Sequence, residues 1–336
     1  TKVDEALLCG SSIRYVATAT SGVDHVDTEY LSDRGIEFSS AAGANAESVT
    51  EYVISALFVL LAEQDSMLDD ATIGIVGFGH VGSLLAGRLK AAGAHVIVND
   101  PPLEETIGDF APGYEVVDLE TLTSRSDVVT LHVPLEGGGR HPTLHLIDES
   151  ILASMRPGAC LFNTSRGGVV SEKALLAHLE RPESGPVVLD VWYNEPEPDP
   201  RLLESARLGT PHIAGYGWDG KLEATRRVSA AIREYLGFPI KFADDAGPTF
   251  RLEPPGQVGS QAKWCHALIR QMYDIESDSG SYRSAFRAAT DTASVFTRHR
   301  ADYPRRRSFG RYLLSADEVP SSHRKVVDGI GVRIVP

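Results

Sequence analysis

Residues 71–102, ATIGIVGFGHVGSLLAGRLKAAGAHVIVNDPP, decide how the rest of the chain is read. An apolar, β-branched run from Ile73 to Val76 turns at once into Gly77-Phe78-Gly79-His80-Val81-Gly82. Leu84, Leu85 and Leu89 then recur at helical spacing, and a second β-rich run, His95 to Val98, ends near Asp100. In such a strand–turn–helix, Gly77 permits the tight turn, Gly79 lets a pyrophosphate approach the backbone, and Gly82 lets helix and strand pack closely. His80 and Val81 open the helix, whose free N–H groups and positive dipole end suit phosphates. Asp100 lies 18 residues beyond Gly82, where a carboxylate accepts hydrogen bonds from a ribose 2′-hydroxyl. The same carboxylate repels a 2′-phosphate, and Pro101-Pro102 supplies no cation, so the expected cofactor is NAD rather than NADP. Glycines alone also mark ordinary turns. Here strand, helix, second strand and acid stand in register, which is what makes the pattern specific.

At 336 residues the chain is long enough for two or three domains with proper cores. A formal charge of −14 argues against a nucleic-acid partner, which calls for a basic field. Cys9, Cys160 and Cys265 are far apart and odd in number, so they make neither a disulfide framework nor a zinc set. No metal site is expected, and a reducing cytoplasm is the expected compartment. The longest apolar run, Val53 to Ala62, is bracketed by Glu51 and Glu63 and is too short for a bilayer, so no membrane partner is expected. No signal peptide is visible, and the start on Thr1 suggests that a native N-terminus precedes it.

Along the chain, residues 13–17 (IRYVA) and 35–39 read as short strands, and 46–64 as a helix with a broad apolar face. After Asp100 comes a Gly/Pro-rich passage. Strands are then predicted at 128–133, 159–163 and 187–191, interleaved with helices at 118–125, 147–155 and 173–179, and a long helix at 222–236 follows. Strands and helices alternating at this spacing predict an α/β fold with a doubly wound parallel sheet, whose ligands sit outside the strand carboxyl ends. The Pro-, Gly- and Asp-rich 242–257 reads as a linker, and the Arg-dense run from Arg298 to Arg311 marks a change of character beyond it.

Arg166, Glu195 and His212 fall at strand ends, where three such side chains could share one site. Each alone has an ordinary reading: a backbone-binding arginine, a solvated carboxylate in a Pro-rich loop, a structural histidine. Their setting is more specific. NTSRGGVVSEKAL (163–175), VVLDVWYNEP (187–196) and GTPHIAGY (209–216) closely resemble the NAD-dependent D-2-hydroxyacid dehydrogenases, over about residues 12–236.

That resemblance implies a hydride transfer from C2 of a 2-hydroxy acid. His212 would be the general base, Glu195 would hold its other ring nitrogen, and Arg166 would hold the substrate carboxylate or C2 oxygen. It further implies Asp190 at the nicotinamide end, Val133 and Gly215 along the cofactor, and Thr20 and Tyr216 facing substrate. TATSGVDHVD (18–27), NDPP (99–102), TLHLID (143–148) and PHIAGYGWDGK (211–221) look like the branch of the family that oxidises a phosphorylated four-carbon hydroxy acid in vitamin B6 biosynthesis. Members of that branch carry a C-terminal dimerisation domain, so a homodimer is implied. The implied organisation is a smaller, flavodoxin-like substrate domain (1–66), an NAD-binding domain (67–214), a return helix (215–243), a linker (244–257) and an α+β dimerisation domain (258–336). The family begins with a strand, helix and strand ahead of the segment matching Thr1, so the substrate domain is expected to be N-terminally incomplete. Among Arg305, Arg306 and Arg307, Arg306 is the candidate for the substrate phosphate; a solvated basic face is the alternative. A dehydrogenase of the glycerate or phosphoglycerate type, and an NAD(H)-binding corepressor on the same fold, are the competing readings of the whole chain.

Overall fold

The computed structural model describes residues 1–238, 247–256 and 258–336. The end of the expected return helix and much of the expected linker therefore lie outside the described residues. In chain order, and leaving several of the shorter helices unlabelled, the elements are β1 (Tyr15–Thr18), β2 (Glu37–Ser40), α1 (Ala46–Gln64), β3 (Thr72–Val76), α2 (His80–Ala92), β4 (His95–Asn99) and β5 (Glu115–Val116). They continue with β6 (Val128–Leu131), β7 (Cys160–Asn163), β8 (Val187–Leu189), β9 (Leu208–Gly209), α3 (Trp218–Leu236) and β10 (Phe250–Arg251). The C-terminal part adds α4 (Gln261–Met272), α5 (Ile275–Ala288), α6 (Thr292–Ala301), β11 (Tyr312–Ser315), α7 (Arg324–Gly329) and β12 (Arg333–Val335).

Seven strands form one parallel sheet in the order β5-β4-β3-β6-β7-β8-β9. The order reverses between β3 and β6, the switch point at which doubly wound sheets open a crevice for ligand. β3 and β6–β8 are apolar on both faces, as a sheet covered by helices on both sides requires. At the turn after β3, Gly77 takes φ 91°, and a side chain on Gly82 would strike the Gly77 carbonyl. Only glycine lets α2 start this close to the strand.

β1 and β2 form a separate two-stranded parallel sheet, against which α3 packs, with Tyr235 stacked on Tyr15 at 4.4 Å between ring centroids. α1 bridges the two parts. It is not merely one-sided, as its sequence suggested: 48–62 is buried all round, including Glu51, Ser48 and Ser55. Its far side is covered by α4. Each fully buried Leu or Phe there, such as Leu57 and Phe58, contributes about 1.5–3 kcal/mol.

The C-terminal part is α+β, with its own parallel sheet β10-β11-β12. It shares its core with the large sheet: Trp264, Leu268, Phe309 and Ile330 join the cluster of α1, β3 and α2, while Tyr282 and Phe286 join that of β6–β8. The polar stretch 275–301, for which no element was expected, forms α5 and α6. β10 lies inside the stretch expected to be linker, paired to β11, with the following Leu252 buried. No helix among the described residues is long and apolar enough to cross a membrane.

Candidate active site

The turn after β7 is shaped by its last residue. Asn163 accepts from the Ser165 amide at 3.1 Å and its hydroxyl at 2.8 Å, and donates to the Arg166 carbonyl at 2.9 Å. Arg166 is thereby turned toward the loop after β1, where its Nε and Nη2 meet Asp24 Oδ2 at 2.7 and 2.6 Å. A side chain on Gly22 would collide with this guanidinium, so the Ser21-Gly22 turn is what lets the arginine reach across.

His212 sits in the loop after β9 with φ 57°, a conformation a side-chain-bearing residue adopts only when its surroundings impose it. Asp190, wholly buried at the end of β8, does the imposing. Its Oδ1 accepts from the Ile213 amide (2.7 Å) and Thr210 Oγ1 (2.6 Å), its Oδ2 from the Ala214 amide (2.8 Å), and its carbonyl from the His212 amide (2.7 Å). Burial raises the pKa of this carboxyl, and the neighbouring His212 and these donors pull it back. Tyr52 of α1 extends the chain of bonds to Thr210 Oγ1 at 2.6 Å.

Glu195 uses both oxygens. Oε1 accepts from the Trp192 amide at 3.0 Å, and Oε2 pairs with His212 Nδ1 at 2.7 Å. That contact leaves the opposite ring nitrogen, Nε2, for the cavity that His212 lines. The cavity holds about 650 Å³ and is walled by Thr20, Ser21, Arg166, Asp190, His212, Gly215 and Tyr216. Glu195 stands behind the histidine rather than on the wall. This is the geometry of a general base oriented by a carboxylate beside a cation able to hold an anion.

A second cavity of about 700 Å³ opens at the carboxyl ends of β3, β4 and β6 and is lined by Gly77, Gly79, Asp100, Pro101, His132 and Val133. Asp100 Oδ2 accepts from the Phe78 amide at 2.7 Å, which fastens the glycine turn to the end of β4. A side chain on Gly79 would meet no atom within 4 Å, so the turn is open on its outer face. His80 and Val81 stand at the mouth of α2 and Gly82 lies buried beneath the turn. His132 is held neutral, its pKa driven down to about 3 by burial. An open glycine turn, a helix start and one acid at the neighbouring strand end fit a dinucleotide bound along its diphosphate and a ribose.

Arg306 is placed elsewhere. It is 5 % exposed, lies 4.3 Å from the Tyr273 ring centroid, and donates to the carbonyls of Ser48 and Ala214. It braces the loop of His212 from behind and lines neither cavity. Arg307 pairs with Asp219 at 2.8 Å. The cations that do reach the first cavity besides Arg166 are Lys221 and Arg300. Lys221 closes the quoted PHIAGYGWDGK and Arg300 belongs to the Arg-dense run, so the run was legible but its cavity-facing member was not.

Residues 60–214 match the family profile described as D-isomer specific 2-hydroxyacid dehydrogenase, NAD binding domain. The chain is 41% identical to an erythronate-4-phosphate dehydrogenase of Salinibacter ruber, over 99% of this chain and 87% of that protein. Among solved structures, an acyclic imino acid reductase in complex with NADPH and D-Arg superposes with a TM-score of 0.62 at 25% identity, covering 70% of this chain and 80% of that one. A D-lactate dehydrogenase from Aquifex aeolicus complexed with NAD and lactic acid gives 0.57 at 26%, with the same coverage. The chain belongs to the D-isomer specific 2-hydroxyacid dehydrogenase family, with an NAD-binding domain built on the large parallel sheet.

Proposed function

We propose that this protein oxidises 4-phospho-D-erythronate at C2, giving (R)-3-hydroxy-2-oxo-4-phosphooxybutanoate for pyridoxine 5′-phosphate (vitamin B6) synthesis. The observation that carries the reading is the His212–Glu195 pair at 2.7 Å on the same cavity as Arg166, in a chain whose relatives of that name match nearly end to end. NAD, when bound, supplies the acceptor for the hydride that leaves C2. Arg166 fixes the substrate carboxylate or C2 oxygen. His212 Nε2 takes the hydroxyl proton as the C2 carbonyl forms and returns it in the reverse direction, while Glu195 stabilises the imidazolium. Asp190 serves the nicotinamide end, and Gly77, Gly79, His80, Val81, Gly82, Asp100, Val133 and Gly215 hold the rest of the cofactor. Thr20 and Tyr216 face the substrate.

In this reading 1–66 with α3 is the substrate domain, 67–214 the cofactor domain, and the part from 258 the dimerisation domain of a cytoplasmic homodimer. The test is NADH formation with 4-phosphoerythronate beside glycerate and 3-phosphoglycerate. Turnover selective for the four-carbon phosphate supports the assignment; faster turnover of glycerate or phosphoglycerate moves the protein to another branch of the family.

A further inference from the structure

The cavity that holds Arg166 and His212 has a second, cationic wall. Lys221, in the first turn of α3, places Nζ 4.4 Å from the centroid of the Tyr216 ring, and Arg300, near the end of α6, places its guanidinium carbon 5.3 Å from the same centroid. Both residues line the cavity. Two like charges on one ring repel each other. In a chain with 46 acidic and 32 basic side chains, a carboxylate between them would be the ordinary remedy. None is there: among the described residues neither Lys221 nor Arg300 makes an ion pair, whereas Arg166, Arg207, Arg287 and Arg307 all do. Arg300 Nε is buried with no hydrogen-bond partner among the described residues, a donor whose desolvation none of them offsets. Partial desolvation of its otherwise exposed side chain, with Arg306 nearby, also lowers the pKa of Lys221, as expected of a cation kept short of anions. A ligand anion would relieve all three costs at once.

We propose that Lys221 and Arg300, bracketing Tyr216, form the anion subsite that takes the phosphate at the far end of the substrate. The carboxylate end would meet Arg166 and the phosphate end this pair, so the two charged termini set the orientation of C2 between them. A guanidinium fork and a mobile ammonium together suit a phosphate dianion, with Arg supplying directed donors and Lys a point charge. Arg300 comes from the C-terminal part, beyond the stretch that resembles the wider family, so that part would contribute to substrate choice directly. The inference rests on the reading of the substrate as a phosphorylated hydroxy acid, and the experiment separates the two.

Lys221→Met and Arg300→Met are compared with the wild type by the ratio of kcat/KM for 4-phosphoerythronate to that for erythronate. Binding of inorganic phosphate and of NADH is titrated calorimetrically alongside. Each substitution is expected to lower the ratio about ten- to a hundredfold, chiefly through KM, and to weaken phosphate binding, with NADH affinity kept. Arg300→Lys should recover part of the loss. Lys221 is exposed, so its variant remains informative even where Arg300→Met does not fold. An unchanged ratio in Lys221→Met, with the wild type active, overturns the subsite and leaves the proposed function standing. Phosphate binding that depends on both residues, in a wild type that oxidises neither acid, supports the subsite and removes the proposed function.

Discussion

At the scale of single residues, the site is governed by one carboxylate that turns a histidine and another that fixes its loop. Glu195 meets His212 Nδ1 at 2.7 Å, and Asp190 accepts three hydrogen bonds from the loop's own amides and hydroxyl. An amide in place of Glu195 still reaches the ring but cannot stabilise an imidazolium. Glu195→Gln is therefore expected to lower kcat by about 10²–10⁴-fold while NADH binds as before, a split that stopped-flow turnover with a fluorescence titration measures. An unchanged kcat would remove Glu195 from the chemistry. These residues were legible because each sits in a distinctive local setting: Arg166 between Ser165 and two glycines, Glu195 before Pro196, His212 after Pro211. Lys221 and Arg300 have no such setting. They are ordinary helix-surface types, and only the fold brings them to one ring.

At the scale of elements, α1 is the joint of the molecule, and it carries a cost at Glu51. Oε1 accepts from the Phe309 amide at 2.6 Å, while Oε2 is buried without a partner among the described residues. Burial, with Glu47 adding to it, raises this carboxyl from the ordinary 4.5 to about 8. The native state thus keeps a proton that the unfolded chain releases above 4.5, so stability falls as the pH rises through the interval up to about 8. Glu51→Gln is expected to flatten that fall and to raise Tm at pH values above about 8 relative to the wild type; thermal unfolding across the pH range reads it, and parallel curves for the two proteins would refute the protonated Glu51. The central elements were legible because β3, α2 and β6 to β8 follow the periodicities of strand and helix closely. α5 was not, although Ile275, Ser279, Tyr282 and Phe286 make a helical stripe, because one of its inward positions is a serine that is buried and accepts the Gly209 amide. The helix Pro101–Ile107 was also hidden: its two prolines read as loop, yet they occupy the first turn beneath an Asp100 cap, where a missing N–H costs nothing.

At the scale of the whole molecule, the C-terminal part is welded to the cofactor sheet through shared core clusters while presenting its own small sheet. If that part serves dimerisation, sedimentation velocity will give about twice the 36.3 kDa of one chain; a concentration-independent monomer would contradict it. What most directly tests the account is transfer of the C2 hydrogen. 4-Phosphoerythronate deuterated at C2 is to be given with NAD to the wild type and to His212→Gln, and deuterium in the reduced nicotinamide followed by mass spectrometry. The wild type is predicted to yield deuterated NADH, and the variant a yield lower by about 10²–10⁴-fold with NADH affinity retained. Undiminished transfer by the variant, or NADH binding without any transfer by the wild type, would contradict it.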